Sequence, residues 1–309
     1  MCPGAPGLVA GFGFSGKTVA VQALAMSIAA GLPVWGAFSA PRARCLHIDY
    51  EQGPRLTRER YQRLAAGLMI GPSDIEGHLS LVSIPRVFLD SSNAESFLLE
   101  RCAGFDLVII DSLRAACPTL DENDSSVRGA LDMLTRVSTR LGCTFLIIHH
   151  CRKPSLTAQG GARMAIRGSG AIYDGCGSVL VLEAEKGQPT RVSHEKARNT
   201  GICLADFSLT IADLEVAGRA RAGLTVTAEV ARPGAGTRGG LALDALKERI
   251  RAYFREHGDQ PGKGALRERL AVNRDLFFAA MAELESSGEV INAGNGQRPL
   301  LRFVEGKKR

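Results

Sequence analysis

The chain has 309 residues, 45% hydrophobic and 23% charged, with a net charge of +6. That length suggests about two domains, and the composition is that of an ordinary soluble protein with ample material for a core. No apolar run approaches membrane-spanning length and no charged segment precedes an apolar stretch at the start, which argues against a membrane span or secretory leader and for a cytoplasmic location. The eight cysteines stand at 2, 45, 102, 117, 143, 151, 176 and 203 without a C-x-x-C pair. They read as reduced, mostly buried thiols. Residues 232–309 hold 15 Lys and Arg against 10 Asp and Glu, so almost all of the positive excess sits in the last quarter, a hint of a polyanionic partner there.

Taken in order, the chain opens with a short apolar strand, Leu8-Val9-Ala10, and then Gly11-Phe12-Gly13-Phe14-Ser15-Gly16-Lys17-Thr18. This fits G-x-x-x-x-G-K-[ST] at every fixed position. Small residues let backbone N–H groups curl around nucleotide phosphates, and the helix that follows adds the positive end of its dipole. Lys17 supplies a point charge to the β- and γ-phosphates, and the Thr18 hydroxyl suits Mg²⁺. The Ala-rich stretch from Thr18 to Ala30, ended by Gly31 and Pro33, predicts that helix. A Gly-rich turn without ligand is the bland alternative, and the strand–loop–helix setting weighs against it. Phe12 and Phe14 are bulky for such a loop, though neither stands where glycine is obligatory.

Cys45 to Asp49 is the next strand, and Glu51 leaves its end, where ligands of α/β folds bind. A carboxylate there can orient and deprotonate the water that attacks a γ-phosphate; otherwise it is a solvated strand-end acid. An Arg-rich amphipathic helix is predicted over 56–68, a strand over 78–84 and a helix over 92–102. Phe105 to Ser112 reads as a buried parallel strand that delivers Asp111 to its tip, the place of the Mg²⁺-side acid. The acidic turn 121–124 can cap a helix over 126–141. The strand Thr144 to Ile148 ends in His149 and His150, one of which can sense a γ-phosphate; a plain hydrogen-bonded pair is the alternative. A metal site on His149-His150-Cys151 is disfavoured because adjacent strand residues point to opposite faces. Residues 152–170 are Gly-rich and basic, either a linker or a functional loop. Strands over 178–182, 190–196 and 205–211 close the pattern.

The stretches G-F-G-F-S-G-K-T, H-I-D-Y-E-Q-G, L-V-I-I-D-S-L, D-E-N-D, F-L-I-I-H-H-C-R-K, R-G-S-G-A-I and K-A-R-N-T-G occur in the order found in one known group. On them, residues 5 to 212 resemble the RecA-like, RepA-type ATPases, relatives of plasmid and phage replicative helicases. The resemblance implies an α/β fold with a parallel-rich sheet, a P-loop core that uses ATP and Mg²⁺, and catalysis in a homo-oligomer, with a hexamer as one form. It implies that Lys17 and Thr18 take phosphates and Mg²⁺, that Glu51 is the catalytic carboxylate, and that Asp111 is the Mg²⁺-side acid. It also places Lys196 and Arg198 in a K-x-R pair that reaches a neighbour's γ-phosphate, and Arg167 in a loop that meets single-stranded DNA. On their own, Lys196 and Arg198 read as a solvated strand end. Little chain precedes the phosphate loop, so a segment clasping the next subunit is expected to be absent or to lie outside this chain, which counts against a stable closed hexamer.

The expected division is an ATPase domain over 1–212, a flexible linker over 213–240 and a small domain over 241–309. In the last, helices over 241–257, 264–270 and 273–287 and a hairpin around 294–296 match a winged helix, whose third helix would enter duplex DNA. Arg267, Arg269, Arg274, Arg298 and the tail Lys307-Lys308-Arg309 are the candidate phosphate contacts. Protein contact alone is the alternative for this domain. The sequence therefore points to a DNA-dependent ATPase in replication or mobile-element maintenance, with an ATP-switched DNA-binding regulator or loader as the second reading.

Overall fold

The computed structural model describes residues 3–120, 126–150, 170–230, 238–270, 272, 274–294 and 300–304. The chain forms two compact units, Met1–Val230 and Ala231–Arg309. The first contains β1 (Gly7–Gly11), α1 (Lys17–Ala30), β2 (Cys45–Asp49), α2 (Pro54–Leu68), α3 (Pro72–Ile75), β3 (Leu79–Ser83), α4 (Ala94–Arg101), β4 (Leu107–Asp111), α5 (Leu113–Ala116) and α6 (Val127–Leu141). After these come β5 (Thr144–His150), α7 (Gly170–Gly175), β6 (Ser178–Glu183), β7 (Thr190–Ala197), β8 (Phe207–Val216) and β9 (Arg219–Val230).

Among the described residues these strands form one nine-stranded sheet in the order β3-β2-β4-β5-β1-β6-β7-β8-β9. The first six in that order are parallel and the last three are joined antiparallel. Every residue of β1, β2 and β4 is buried, as a parallel sheet covered on both faces requires. One face carries Leu46, Ile48, Val108, Ile110 and Phe145 under α4 and α6. The other carries Val9, Cys45, Ile109 and Ile148 under α1 and α2. This is a RecA-like P-loop core, with the C-terminal tips of β1, β2, β4 and β5 along one edge. Burial pushes the thiols of Cys45, Cys102 and Cys176 up to about 12.

The linker expected over 213–240 is corrected in its first part. Asp213–Val216 and Arg219–Val230 are paired strand, and the hairpin turns at Ala217 and Gly218, both with positive φ (50° and 73°). Its pattern escapes a sequence reading because only a few side chains, Leu224 and Val226 among them, are buried. The hairpin packs on α2: a Cβ on Gly67 would lie 2.2 Å from the Leu224 carbonyl oxygen. Arg63 of α2 ties the hairpin down by pairing with Asp213 and donating to the Arg221 carbonyl.

The second unit contains α8 (Arg238–His257), α9 (Lys263–Leu270), α10 (Arg274–Ser286) and the antiparallel pair β10 (Val290–Asn292) and β11 (Leu301–Phe303). Its core is Leu246, Ile250, Phe254, Leu266, Phe277, Met281 and Leu284, closed by Val290 and Leu301. Gln260, between α8 and α9, exchanges two backbone hydrogen bonds of 2.8 Å with Leu301 and so adds a third short rung to the hairpin.

The close approach at Gly67 has a measurable consequence. Gly67→Ala is expected to destabilise the chain by about 1–3 kcal/mol in chemical unfolding, because backbone rather than a flexible side chain is in the way. Gly129→Ala, on the solvent side of α6 where an added methyl meets nothing, is expected to stabilise it by about 0.4–1 kcal/mol. Equal effects at the two sites would contradict the packing of α2 on the hairpin.

Candidate active site

The phosphate loop leaves β1 and enters α1 through Gly16, the N-cap, which adopts a left-handed conformation (φ 80°). A Cβ there would be strained and would meet Ile211 Cδ1 of β8 at 2.4 Å. Phe14 also takes a positive φ of 63° and is fully exposed, so its position favours glycine without requiring it. Ser15 is buried at the base of the loop. Lys17 is 6% exposed, and its Nζ donates to the carbonyls of Gly11 (2.9 Å) and Phe12 (2.6 Å). These bonds centre the ammonium within the loop.

A cleft of about 430 Å³ lies over the strand tips. Gly13, Phe14, Gly16, Lys17 and Thr18 line it from the loop, Glu51 from the β2–α2 turn, Asp111 from β4 and His150 from β5. The two histidines separate by strand alternation. His150 joins Ile148 on the cleft side, whereas His149 is fully buried and absent from the cleft wall.

Glu51 is held from two directions. Its Oε2 accepts a 2.8 Å hydrogen bond from Ser112 Oγ, next to Asp111. Its backbone N–H donates to Asp49 Oδ1 at 2.9 Å, as does that of Gln52 at 2.8 Å. Asp49 is fully buried, and its Oδ2 accepts from Thr57 Oγ1 (2.5 Å) in the first turn of α2. Burial alone would raise the Asp49 carboxyl, but the bonds from Thr57, Gln52 and Glu51 outweigh it and hold the group below the usual carboxylate range.

Asp111 is 1% exposed, and its Oδ2 has no hydrogen-bond partner among the described residues. Asp111 and Thr18 line the cleft together beside the phosphate loop, and a carboxylate with a hydroxyl suits a hard, oxygen-seeking cation such as Mg²⁺. Thr18 and Asp111 therefore fit that ion.

Lys196 and Arg198 are elsewhere. In the strand register Lys196 pairs with Val179, three positions toward the N-terminal edge from Leu182, the partner of Gly11. That is roughly 10 Å along the strand, away from the cleft edge. Lys196 Nζ donates to the Tyr173 carbonyl (2.7 Å) and Arg198 Nη2 to that of Asp174 (2.8 Å), at the end of α7. Arg167, the D-E-N-D turn, Arg298 and the tail Lys307-Lys308-Arg309 lie outside the described residues, as does the Arg274 side chain. Arg269 is exposed, but its guanidinium is engaged with Gln260 Oε1 at 2.7 Å, while Arg267 is half-buried on α9.

Sequence reasoning missed Asp49, Ser112, Gln52 and Arg60. The first two sit one strand period before Glu51 and directly after Asp111, a visible signal. Arg60 lines the cleft and donates to Gln52 Oε1 at 3.3 Å. Nothing in an Arg-rich helix (55, 58, 60 and 63) distinguishes it.

Loop lysine, two strand-tip acids and a capped turn around one cleft define the class: a P-loop, nucleotide-dependent ATPase. A family model described as an AAA domain (AAA_25) matches residues 1–156, just over half of the chain, and the protein belongs to that family. No curated protein matches it.

Asp49 gives a signed pH prediction. Its folded pKa lies below its unfolded value, so the stability it contributes is complete above about pH 4 and is lost as pH falls through the folded value. Asp49→Asn is therefore expected to flatten the acid limb of a stability–pH profile measured by chemical unfolding. An unchanged acid limb would contradict the role given to this carboxylate.

Proposed function

We propose that this ATPase is an oligomeric, DNA-dependent enzyme similar to the RepA-type helicases, hydrolysing Mg·ATP at subunit interfaces and coupling turnover to DNA binding or translocation. The observation that carries the reading is the convergence of Lys17, Thr18, Glu51, Asp111 and His150 on one cleft.

In that cleft the loop N–H groups and Lys17 bind and orient the phosphates. Glu51, fixed by Ser112 and by the Asp49-capped turn, is placed to accept the proton of an attacking water. His150 and Arg60 face the same space and can hydrogen-bond the transferred group. Mg²⁺, held by Thr18 and Asp111, supplies charge neutralisation of the phosphate oxygens when bound. Lys196 and Arg198 lie toward the opposite edge of the sheet, so a γ-phosphate contact from them would be to a neighbouring subunit. Hydrolysis would then depend on assembly.

For the second unit the winged-helix reading draws support from the three helices, the hairpin and the Gln260–Leu301 rung. The charge of its third helix favours a second reading for this unit. α10 carries one arginine against Asp275, Glu283 and Glu285, and two of these acids pair with Lys247 and Lys263. A helix of that charge suits a protein partner better than a phosphate-lined groove. For the whole chain the alternative is an ATP-switched DNA-binding regulator or loader without unwinding activity.

The test is ATP turnover at several protein concentrations, alone and with single-stranded or duplex DNA. The proposal expects turnover per subunit to rise steeply with concentration and with single strands, and expects Lys196→Ala with Arg198→Ala to lower it by about 10³-fold or more without weakening nucleotide binding. Slow, concentration-independent turnover indifferent to any DNA would overturn it.

A further inference from the structure

Beneath Asp111 lies a histidine that the proposed chemistry does not use. His47 is on β2 with its side chain on the α1/α2 face, beside Asp49 and across from Ile109 of β4, and it is fully buried. Its two ring nitrogens meet different groups. Nδ1 is 3.0 Å from the hydroxyl of Tyr61 on α2. Nε2 is 3.7 Å from Asp111 Oδ2. Neither Nε2 nor Oδ2 has a hydrogen-bond partner among the described residues, and both are inaccessible. A buried polar atom left without a hydrogen bond is costly, so the pair has a reason to close.

The proton positions follow from the neighbours. With a proton on Nδ1, the imidazole would turn a lone pair on Nε2 toward a carboxylate oxygen, which is repulsive. With Nδ1 as acceptor from the Tyr61 hydroxyl, Nε2 carries the proton and faces Asp111 as a donor. Burial, reinforced by Cys45, Asp111 and Asp49, raises the Tyr61 hydroxyl well above its usual value, so it stays a protonated donor. An Asp111 carboxylate anchored through Oδ2 would have its other oxygen fixed in direction, as partners behind a metal-side ligand commonly arrange.

We infer that His47, with its tautomer set by Tyr61, is a positioning residue that orients Asp111 for the Mg²⁺·nucleotide complex. Tyr61 follows Arg60 in α2, and Arg60 lines the cleft, so the helix that sets the His47 tautomer also carries a cleft residue. The inference rests on the ATPase reading and on Asp111 as the Mg²⁺-side acid.

The test is a MgCl₂ titration of the full-length chain with a non-hydrolysable fluorescent ATP analogue, read as the Mg²⁺ concentration that half-saturates the tightening of nucleotide binding. His47→Phe, which keeps a flat buried ring without a donor, is expected to raise that concentration by about 10- to 100-fold. Its affinity for the analogue in EDTA should be unchanged. His47→Gln, whose amide can present N–H near the Nε2 position, is expected to recover most of the loss. Tyr61→Phe is expected to give an intermediate shift, and it decides the matter if His47→Phe does not fold. Wild-type Mg²⁺ dependence in the folded variants would overturn the inference alone. A wild-type chain whose nucleotide binding ignores Mg²⁺ would overturn the parent reading of Asp111 as well.

Discussion

A single buried carboxylate organises the working edge of this molecule. Asp49 accepts from the N–H groups of Glu51 and Gln52 and from the Thr57 hydroxyl, and so bends the chain from a buried strand directly into α2. A buried anion is tolerated only when its lone pairs are used, and here the chain's own turn uses them. Three consequences follow from that turn. Glu51 is presented to the cleft, Arg60 is carried to the same cleft on α2, and Gly67 at the far end of α2 meets the β8–β9 hairpin. The turn therefore couples catalytic geometry to tertiary packing, and a fault in it would register in both.

The distribution of positive charge follows a similar logic of place. Lys17 is drawn into the loop by its own carbonyls, so that the ammonium is fixed where phosphates would arrive and little reorganisation is needed. Lys196 and Arg198 are held by the carbonyls that end α7, toward the opposite edge of the sheet. Carbonyls at a helix C-terminus are a favourable place for a cation. In the second unit, lysines of α8 and α9 neutralise acids of α10 rather than forming a basic stripe.

Much of the first unit was legible because its signals are local. The glycine loop, the continuous apolar strand ending in Asp111, and the strand leading to Glu51 each announce themselves within ten residues. The elements that were expected differ from those observed by a few residues at most until β8, but the short helices α3, α5 and α7 were not foreseen and at β8 the hairpin exceeds the reading by a whole strand. Its one-sided burial and its Arg- and Glu-bearing turn resemble a solvated segment, and only docking on α2 makes it structure. The choice between His149 and His150 could not be made from the dipeptide, since it depends on which face of β5 looks toward the loop. Asp49 and His47 sit in plain view in C-L-H-I-D-Y-E, yet their partners, Thr57, Tyr61 and Asp111, are brought near only by the helix return and by the pairing of β2 with β4. Arg60 is the least legible, one arginine of four on a helix whose rotation the sequence alone does not fix.

The central claim is that Glu51, held as observed, performs the proton abstraction of ATP hydrolysis while the phosphate loop binds the nucleotide independently. The most direct measurement is the pair of nucleotide affinity and steady-state ATP turnover for the wild type and Glu51→Gln. The account predicts unchanged affinity with turnover reduced by about 10²–10⁴-fold. Turnover retained at the wild-type level would show that another group activates the water and that the geometry around Glu51 serves some other end.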